Sequence, residues 1–151
     1  MPAQHVLVPI DFSPDADEAL TEAMELAQAL KARLTLLHVI HLVPLTVGDV
    51  PPFYLDNYLE ELENDAQQQM QTVLDRVHRA GLQGDSAIVH GIPFQAIVDM
   101  ARDKKVDMIV MGTHGRTGLP HALIGSVAEK VVRLAPCPVL VAREKRTTPT
   151  A

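Results

Sequence analysis

Short apolar segments alternate with longer amphipathic ones along the whole chain, and this alternation constrains the fold more than any other feature. The short segments are rich in β-branched residues and contain few polar residues. Runs of this kind are typical of strands buried on both faces of a parallel sheet. Five such strands are predicted, at residues 6–10, 34–40, 86–89, 108–111 and 139–142.

The longer segments have the apolar periodicity of amphipathic helices. Ser13 and Pro14 are typical of an N-cap and a first helical position, and acidic residues follow in the next turn. A second helix is predicted at 55–80 with Gly81 as its C-cap, and a third from Pro93. A fourth is predicted at about 120–134, with a buried stripe formed by Ile124, Val127, Ala128 and Val131.

The resulting order, βαβαβαβαβ, predicts an open, doubly wound α/β fold of Rossmann-like type. We expect a five-stranded parallel sheet of order 3-2-1-4-5 with helices on both faces, in a single domain over residues 1–151. Ligands bind such sheets where the winding reverses, which here lies near Asp11 and Gly112. Residues 41–54 form a long loop, either a lid or a plain connection, and residues 144–151 a flexible tail.

Three glycines, Gly112, Gly115 and Gly118, follow the fourth strand directly, and Gly125-Ser126 follow later. Glycines let the backbone turn tightly and approach a ligand closely. If the fourth helix effectively begins near Gly125, its free N–H groups suit an anion, and the Ser126 hydroxyl adds a donor. By spacing alone, a flexible turn with a close helix–sheet contact at Gly125 is the more common explanation.

The sequence lacks the motifs of several other kinds of binding site. No GxxxxGK[ST] motif occurs, and no GxGxxG follows the first strand, which argues against a P-loop and against a dinucleotide site. The seven histidines have no zinc-ligand spacing. Asp11 suits either a ribose or adenine contact or an Asx-type turn. Cys137 is expected to be a small packed hydrophobe.

Charge and localisation follow from the composition. The net charge is −6, with −11 in residues 1–100 and +5 in residues 101–151. An acidic chain is a poor nucleic-acid binder, whereas the basic last third could attract a small anion or simply be solvated. The single cysteine, the lack of a signal-peptide pattern and the lack of a membrane-spanning run predict a cytoplasmic protein that is not embedded in a membrane.

The motif Gly112-x2-Gly115-x9-Gly125-Ser126 resembles that of the ATP-binding branch of the universal stress protein family. The segments 8–13, 37–39 and 137–141 resemble its first, second and last strands. The resemblance implies that Pro9 and Val39 flank adenine, that Asp11 holds ribose or base, and that the glycines and Ser126 surround the phosphates. Ala128 departs from relatives that have a threonine there. The expected nucleotide contacts are Pro9, Ile10, Asp11, Val39, Met111, Gly112, His114, Gly115, Arg116, Gly125, Ser126 and Val127.

The function expected from this resemblance is that of an ATP-binding regulatory module in the stress response. Mg²⁺ or Mn²⁺ would be bound through the phosphates. Homodimers would form through the last strand, at Val139, Leu140 and Val141, with a tetramer left open and the regulated protein unidentified. Two alternatives are a dimeric stress protein that uses no nucleotide and a slow ATPase or phosphotransferase. Catalysis is disfavoured because the sequence places no clear lysine or acceptor in the site.

Overall fold

The computed structural model describes residues 3–41, 52–113 and 124–143, with the backbone alone at 52–54. Strands and helices alternate through these residues, as the apolar pattern predicts. In chain order they are β1 (His5–Pro9), α1 (Pro14–Leu30), β2 (Arg33–His41), α2 (Pro52–Arg79), β3 (Gly84–Gly91), α3 (Pro93–Asp103), β4 (Met108–Gly112), α4 (Ser126–Leu134) and β5 (Val139–Ala142).

The five strands form one parallel sheet of order β3-β2-β1-β4-β5. The predicted strand order and the α/β fold class are therefore confirmed. β1 lies at the centre, pairing with β2 on one side and β4 on the other. The winding reverses between β1 and β4, so the connections leave these two strands in opposite directions and open a crevice at their carboxyl ends.

Helices cover both faces of the sheet and divide the core into two parts. On one face α1 and α2 pack on the sheet, and the core there includes Val8, Leu20 and Met70. On the other face α3 and α4 pack over Leu7 and Ile109. Successive strand residues point to opposite faces of the sheet. Neighbouring residues at the end of a strand therefore border opposite sides of the crevice, one on the α1 and α2 side and one on the α3 and α4 side.

The two edge strands are more exposed than the sequence predicts. β1, β2 and β4 are largely buried, in agreement with their apolar runs. In β3, however, Ser86 is exposed, and in β5 the side chain of Leu140 is 40% exposed. The prediction of burial on both faces is wrong for these segments, which are edge strands with a neighbour on one side only. At β5, however, an exposed apolar edge is also what the sequence predicts for the last strand. β3 also spans 84–91 rather than 86–89.

The predicted start of α1 and the predicted end of α2 are confirmed. Ser13 is the N-cap of α1, and its Oγ accepts a hydrogen bond of 3.1 Å from the backbone N–H of Ala16. Pro14 is the first helical residue, where its missing N–H costs nothing. Gly81, just after α2, has φ of +79°, the left-handed conformation that suits a glycine at a helix end.

Other boundaries differ from the predictions. His41 belongs to β2 and α2 begins at Pro52, so the predicted loop 41–54 is too long at both ends. α4 begins at Ser126 rather than near residue 120, and Ile124 is 47% exposed instead of lying in a buried stripe. The expectation that this helix effectively begins near Gly125 is confirmed. Predictions for His114, Gly115, Arg116 and residues 42–51 and 144–151 lie outside the described residues.

Candidate functional site

A cleft of 490 Å³ opens at the carboxyl end of the sheet, where the winding reverses. This volume is in the usual range for a small-molecule site. The ends of β1, β2 and β4 form its floor, and residues of all four helices border it. Its position is the one expected for a ligand of a doubly wound sheet.

The turn after β1 brings a carboxylate to the cleft. Asp11 Oδ1 accepts a hydrogen bond of 2.9 Å from the backbone N–H of Ser13, which makes an Asx turn. The next residue, Phe12, has φ of +64°, a conformation that is uncommon for a bulky side chain. The Asx turn, which the sequence suggests as the alternative role of Asp11, is therefore present. Asp11 also borders the cleft.

Gly112, at the end of β4, is required by close packing. A Cβ placed on this residue would lie 2.8 Å from the backbone carbonyl carbon of Asp15 and 2.8 Å from its Cβ. Contacts of this length do not occur in folded proteins, and the obstruction is mainly helix backbone. The sequence predicts a glycine that admits a ligand, whereas the structure gives this glycine the additional task of letting α1 approach β4.

Thr113 joins three elements at the floor of the cleft. Its hydroxyl donates a hydrogen bond of 3.2 Å to Asp15 Oδ2 in α1, and both side chains are buried. Its backbone carbonyl accepts a hydrogen bond of 2.7 Å from the N–H of Gly125. Thr113 therefore holds the start of α4 close to the ends of β1 and β4, although the two segments are separated in sequence.

The N-terminus of α4 opens into this cleft. Gly125 is its N-cap, and no side chain in the described residues caps the helix there. The backbone N–H groups of a first helical turn have no intrahelical acceptor, and they carry the positive end of the helix dipole. Ser126 and Val127 both border the cleft, so this end of α4 is placed to receive an anion.

An apolar wall faces the α3 and α4 side of the cleft. Pro9, Val39 and Met111 project from three adjacent strands, and Ile97 and Ala128 approach from the helices. Val39 also packs against the core layer beneath α3 and α4. A wall of this composition suits the flat face of a planar organic group.

The opposite side of the cleft is lined by α2 and carries more polar groups. His38 Nδ1 lies 2.7 Å from the backbone carbonyl oxygen of Ile10 and therefore donates a hydrogen bond to it. The Phe12 ring centroid lies 4.6 Å from that of His38. Asp65 and Gln69 of α2 border the same side. The sequence predicts no ligand contact for any of these four side chains.

Nine of the twelve predicted site residues border the cleft, although they come from four parts of the chain. They are Pro9, Ile10, Asp11, Val39, Met111, Gly112, Gly125, Ser126 and Val127. The other three, His114, Gly115 and Arg116, lie outside the described residues. The structure brings the nine together, and their role as nucleotide contacts stays a prediction.

Sequence reasoning missed several residues of the site. Thr113 follows Gly112 directly, and its polar side chain after a buried strand was an available signal. Phe12, His38, Asp65 and Gln69 also border the cleft and were missed. Lys130 does not line the cleft; its Nζ lies 4.9 Å from the Phe94 ring centroid, a cation–π contact between α4 and the start of α3.

Other features of the described residues bear on chemistry. Among the side chains at 3–41, 55–113 and 124–143, no group of three His, Cys, Asp or Glu is arranged to hold a metal ion. Cys137 is half-buried against the α3 and α4 core layer, as expected, and burial raises the pKa of its thiol. Within the same ranges no helix has the length and hydropathy needed to cross a bilayer.

The sequence model of the universal stress protein family matches residues 2–143. The chain belongs to the universal stress protein family. One universal stress protein of Methanocaldococcus jannaschii is 33% identical to it, over 93% of this chain and 82% of the relative. The family expected from the glycine motif and the strand ends is therefore confirmed.

Solved structures agree with this membership of the universal stress protein family. The structure of MJ0577, also from Methanocaldococcus jannaschii, has a TM-score of 0.86 and 31% identity, and the match covers 97% of this chain and 100% of that one. A universal stress protein in complex with cAMP has a TM-score of 0.69 and 25% identity, over 96% of this chain and 100% of its own. The second of these relatives binds a cyclic adenine nucleotide.

Proposed function

We propose that this universal stress protein binds ATP in the cleft and acts in the cytoplasm as a nucleotide-responsive regulatory module. The observation that carries the proposal is the N-terminus of α4, which opens into the cleft beside an apolar wall. A nucleotide combines a planar base with an anionic tail, and the two parts of the cleft match these two chemistries. The cAMP-bound relative supports an adenine nucleotide in this fold.

The phosphate end is argued from backbone and charge. The hydrogen bond from Gly125 to Thr113 fixes the start of α4, so its first N–H groups are held in place before any ligand arrives. The Ser126 hydroxyl would add one donor. A divalent ion would be held by phosphate oxygens and water.

The base and ribose end is argued from the apolar wall and Asp11. Pro9, Val39 and Met111 offer apolar surface to an adenine ring. Asp11 lies in the same cleft, and a carboxylate is a good acceptor for ribose hydroxyl groups. We expect micromolar affinity for ATP, about −8 kcal/mol. Ala128 lacks the threonine hydroxyl that some relatives have there, which removes one possible phosphate contact.

Binding and switching are favoured over turnover. Phosphoryl transfer needs a positioned acceptor and stabilisation of developing charge. Asp11 already accepts a hydrogen bond from Ser13, and buried Asp15 accepts one from Thr113. Both carboxylates therefore stabilise the local structure, which argues against either one as a catalytic base. We propose that ATP binding alters a surface that another protein recognises, and that homodimers form through β5. A nucleotide-independent dimer and a slow ATPase are the alternatives.

The test places a negative charge at the start of α4. Ser126→Asp should lower ATP affinity at least about tenfold, because the carboxylate repels the phosphates and competes for the same N–H groups. Adenosine affinity should change little. The helix should not be weakened, since an acidic residue suits its first turn. Isothermal titration calorimetry measures both ligands.

Ser126→Ala is the matched control, because it removes the hydroxyl without adding charge and should weaken ATP binding less. Equal ATP affinity in Ser126→Asp and the wild type would contradict the proposed phosphate site. If the wild type bound no nucleotide at all, the nucleotide-independent dimer would be favoured. Rapid phosphate release by contaminant-free protein would favour the ATPase.

A further inference from the structure

The cleft has a second lobe that the proposed nucleotide does not need. Strand residues alternate between faces, so Pro9 and Val39 border the α3 and α4 side whereas His38 and Ile40 border the α1 and α2 side. We call the second part the α2 lobe. Its lining residues are Phe12, His38, Ile40, Leu62, Asp65, Ala66 and Gln69.

Two rings form one wall of the α2 lobe. The Phe12 and His38 centroids are 4.6 Å apart with an angle of 37° between the planes. The hydrogen bond from His38 Nδ1 to the Ile10 carbonyl fixes the imidazole. Phe12 is held at φ of +64°, a costly conformation for a phenylalanine that tends to occur at functional sites. Fixed aromatic faces attract cations.

The hydrogen-bonding groups on the α2 side are arranged as acceptors. Gln69 Nε2 donates a hydrogen bond of 2.9 Å to Asp65 Oδ2. That contact orients the Gln69 amide and leaves its carbonyl oxygen and Asp65 Oδ1 as acceptors. When His38 is neutral, its Nε2 is an acceptor too, because Nδ1 carries the proton. A ligand of this lobe must therefore supply donors.

The charge of α2 agrees with that requirement. Between residues 56 and 66 the helix carries five carboxylates and no Lys or Arg. Glu63 Oε2 lies 3.8 Å from His90 Nε2, and the carboxylates of this segment give a negative potential over this side of the cleft. Phosphates are disfavoured there. The floor remains apolar, with Ala66 only 4% exposed and Leu62 beside it.

We propose that the α2 lobe binds an alkylammonium group, with the ammonium at Asp65 and Gln69 and the methylene stem against Phe12 and Ala66. The lobe combines an aromatic wall, an apolar floor and charged acceptors, which together suit a primary amine on a short chain. Such a group belongs either to a free diamine or to a lysine side chain of a partner protein. None of the seven residues that line the α2 lobe is among the proposed nucleotide contacts, so the proposal does not depend on ATP binding.

The test uses the full-length, nucleotide-free protein and cadaverine as the probe. Calorimetry gives the affinity, and backbone NMR locates the site through shifts at Phe12 and His38. Pentanol is the uncharged comparison. Asp65→Asn should weaken cadaverine binding about tenfold, since it removes a charged acceptor, and it should leave ATP affinity unchanged.

Asp75→Asn is the matched control. It removes the same charge from the same helix and breaks a similar hydrogen bond, from Gln71 to Asp75 at 2.8 Å, outside the cleft. Retained cadaverine affinity in this variant supports the site. Equal weakening by both variants, equal binding of pentanol, or no shift at Phe12 and His38 overturns it.

N-acetyl-lysine methylamide distinguishes the two sources of the amine. Tighter binding of this side-chain analogue than of cadaverine, still lost in Asp65→Asn, assigns the lobe to a partner's lysine. Tighter binding of cadaverine assigns it to a free amine. Failure of both probes contradicts the proposal and leaves the ATP measurement on Ser126→Asp unaffected.

Discussion

Gly112 illustrates how one residue can serve packing and function at once. Its missing Cβ makes room for the backbone of Asp15, at 2.8 Å from where that atom would lie. We expect Gly112→Ala to lower the free energy of unfolding by about 1–3 kcal/mol, the usual cost of overpacking, because α1 must move away from β4. Urea denaturation followed by circular dichroism measures this.

Gly81→Ala is the comparison for that variant. Nothing lies within 4 Å of an added Cβ there, but φ is +79°. Its cost is therefore conformational, about 1 kcal/mol, and it should leave the cleft intact. Equal stability of Gly112→Ala and the wild type would show that α1 can move away from β4 at little cost. That result would contradict the packing role assigned to Gly112.

At the scale of elements, local apolar patterns were sufficient for the fold. Apolar residues mark the buried positions directly, as in the strand runs at 6–10 and 34–40 and in the apolar stripes of the helices. The pattern of buried positions in turn determines how strands and helices pack in a doubly wound sheet. The cap at Ser13 is equally local. These are the parts of the structure that the sequence predicts well.

The parts that sequence reasoning missed depend on contacts between distant segments. Thr113 meets Asp15 across 98 positions, and His38 meets Ile10 across 28. Phe12 takes a conformation that its own preferences disfavour. The exposure of β3 and β5 also follows from strand order rather than from composition. The Thr113–Asp15 contact at the cleft floor and the α2 lobe were for these reasons not visible in the sequence.

β5 is the element on which the predicted homodimer depends. It is an edge strand, and Leu140 exposes 40% of its surface near the middle of the strand. Leu140→Arg should shift a β5-mediated dimer to monomer, because a buried unpaired guanidinium opposes association. Sedimentation velocity over a concentration series measures the distribution.

Ile92→Arg is the control for this variant, since Ile92 is 54% exposed and follows the opposite edge strand, β3. It should leave the distribution unchanged. Dissociation by Ile92→Arg alone would move the interface to the β3 edge. A monomeric wild type would remove the basis for a dimeric regulatory module.

On the scale of the whole molecule, the two ends of the sheet have different tasks. The carboxyl end carries the cleft, and the amino end carries a chain of hydrogen bonds that links three strands. Arg33 Nη2 lies 3.3 Å from His5 Nδ1, and arginine can only donate, so Nδ1 accepts. His5 Nε2 then donates to Thr35 Oγ1 at 2.8 Å, and Thr35 donates to Asp85 at 2.6 Å.

This network requires a neutral His5. Burial, and next the Arg33 charge, lower the pKa of His5 from its usual 6.5. As the pH falls, the unfolded chain therefore takes up this proton before the folded one. The stabilisation from neutral His5 is complete well above pH 6.5 and decreases as the pH drops through 6.5 toward the folded-state pKa.

We expect the free energy of unfolding to fall between about pH 8 and about pH 5, and His5→Gln to reduce that slope. Glutamine retains a donor and an acceptor but does not titrate. Urea titrations at several pH values, with the other histidines common to both proteins, isolate the contribution of His5. Arg33→Gln should reduce the slope by less, because burial is the larger cause of the lowered pKa. An unchanged slope in His5→Gln would mean that His5 takes up its proton equally in the folded and unfolded chains, which would contradict the requirement for a neutral His5 in this network.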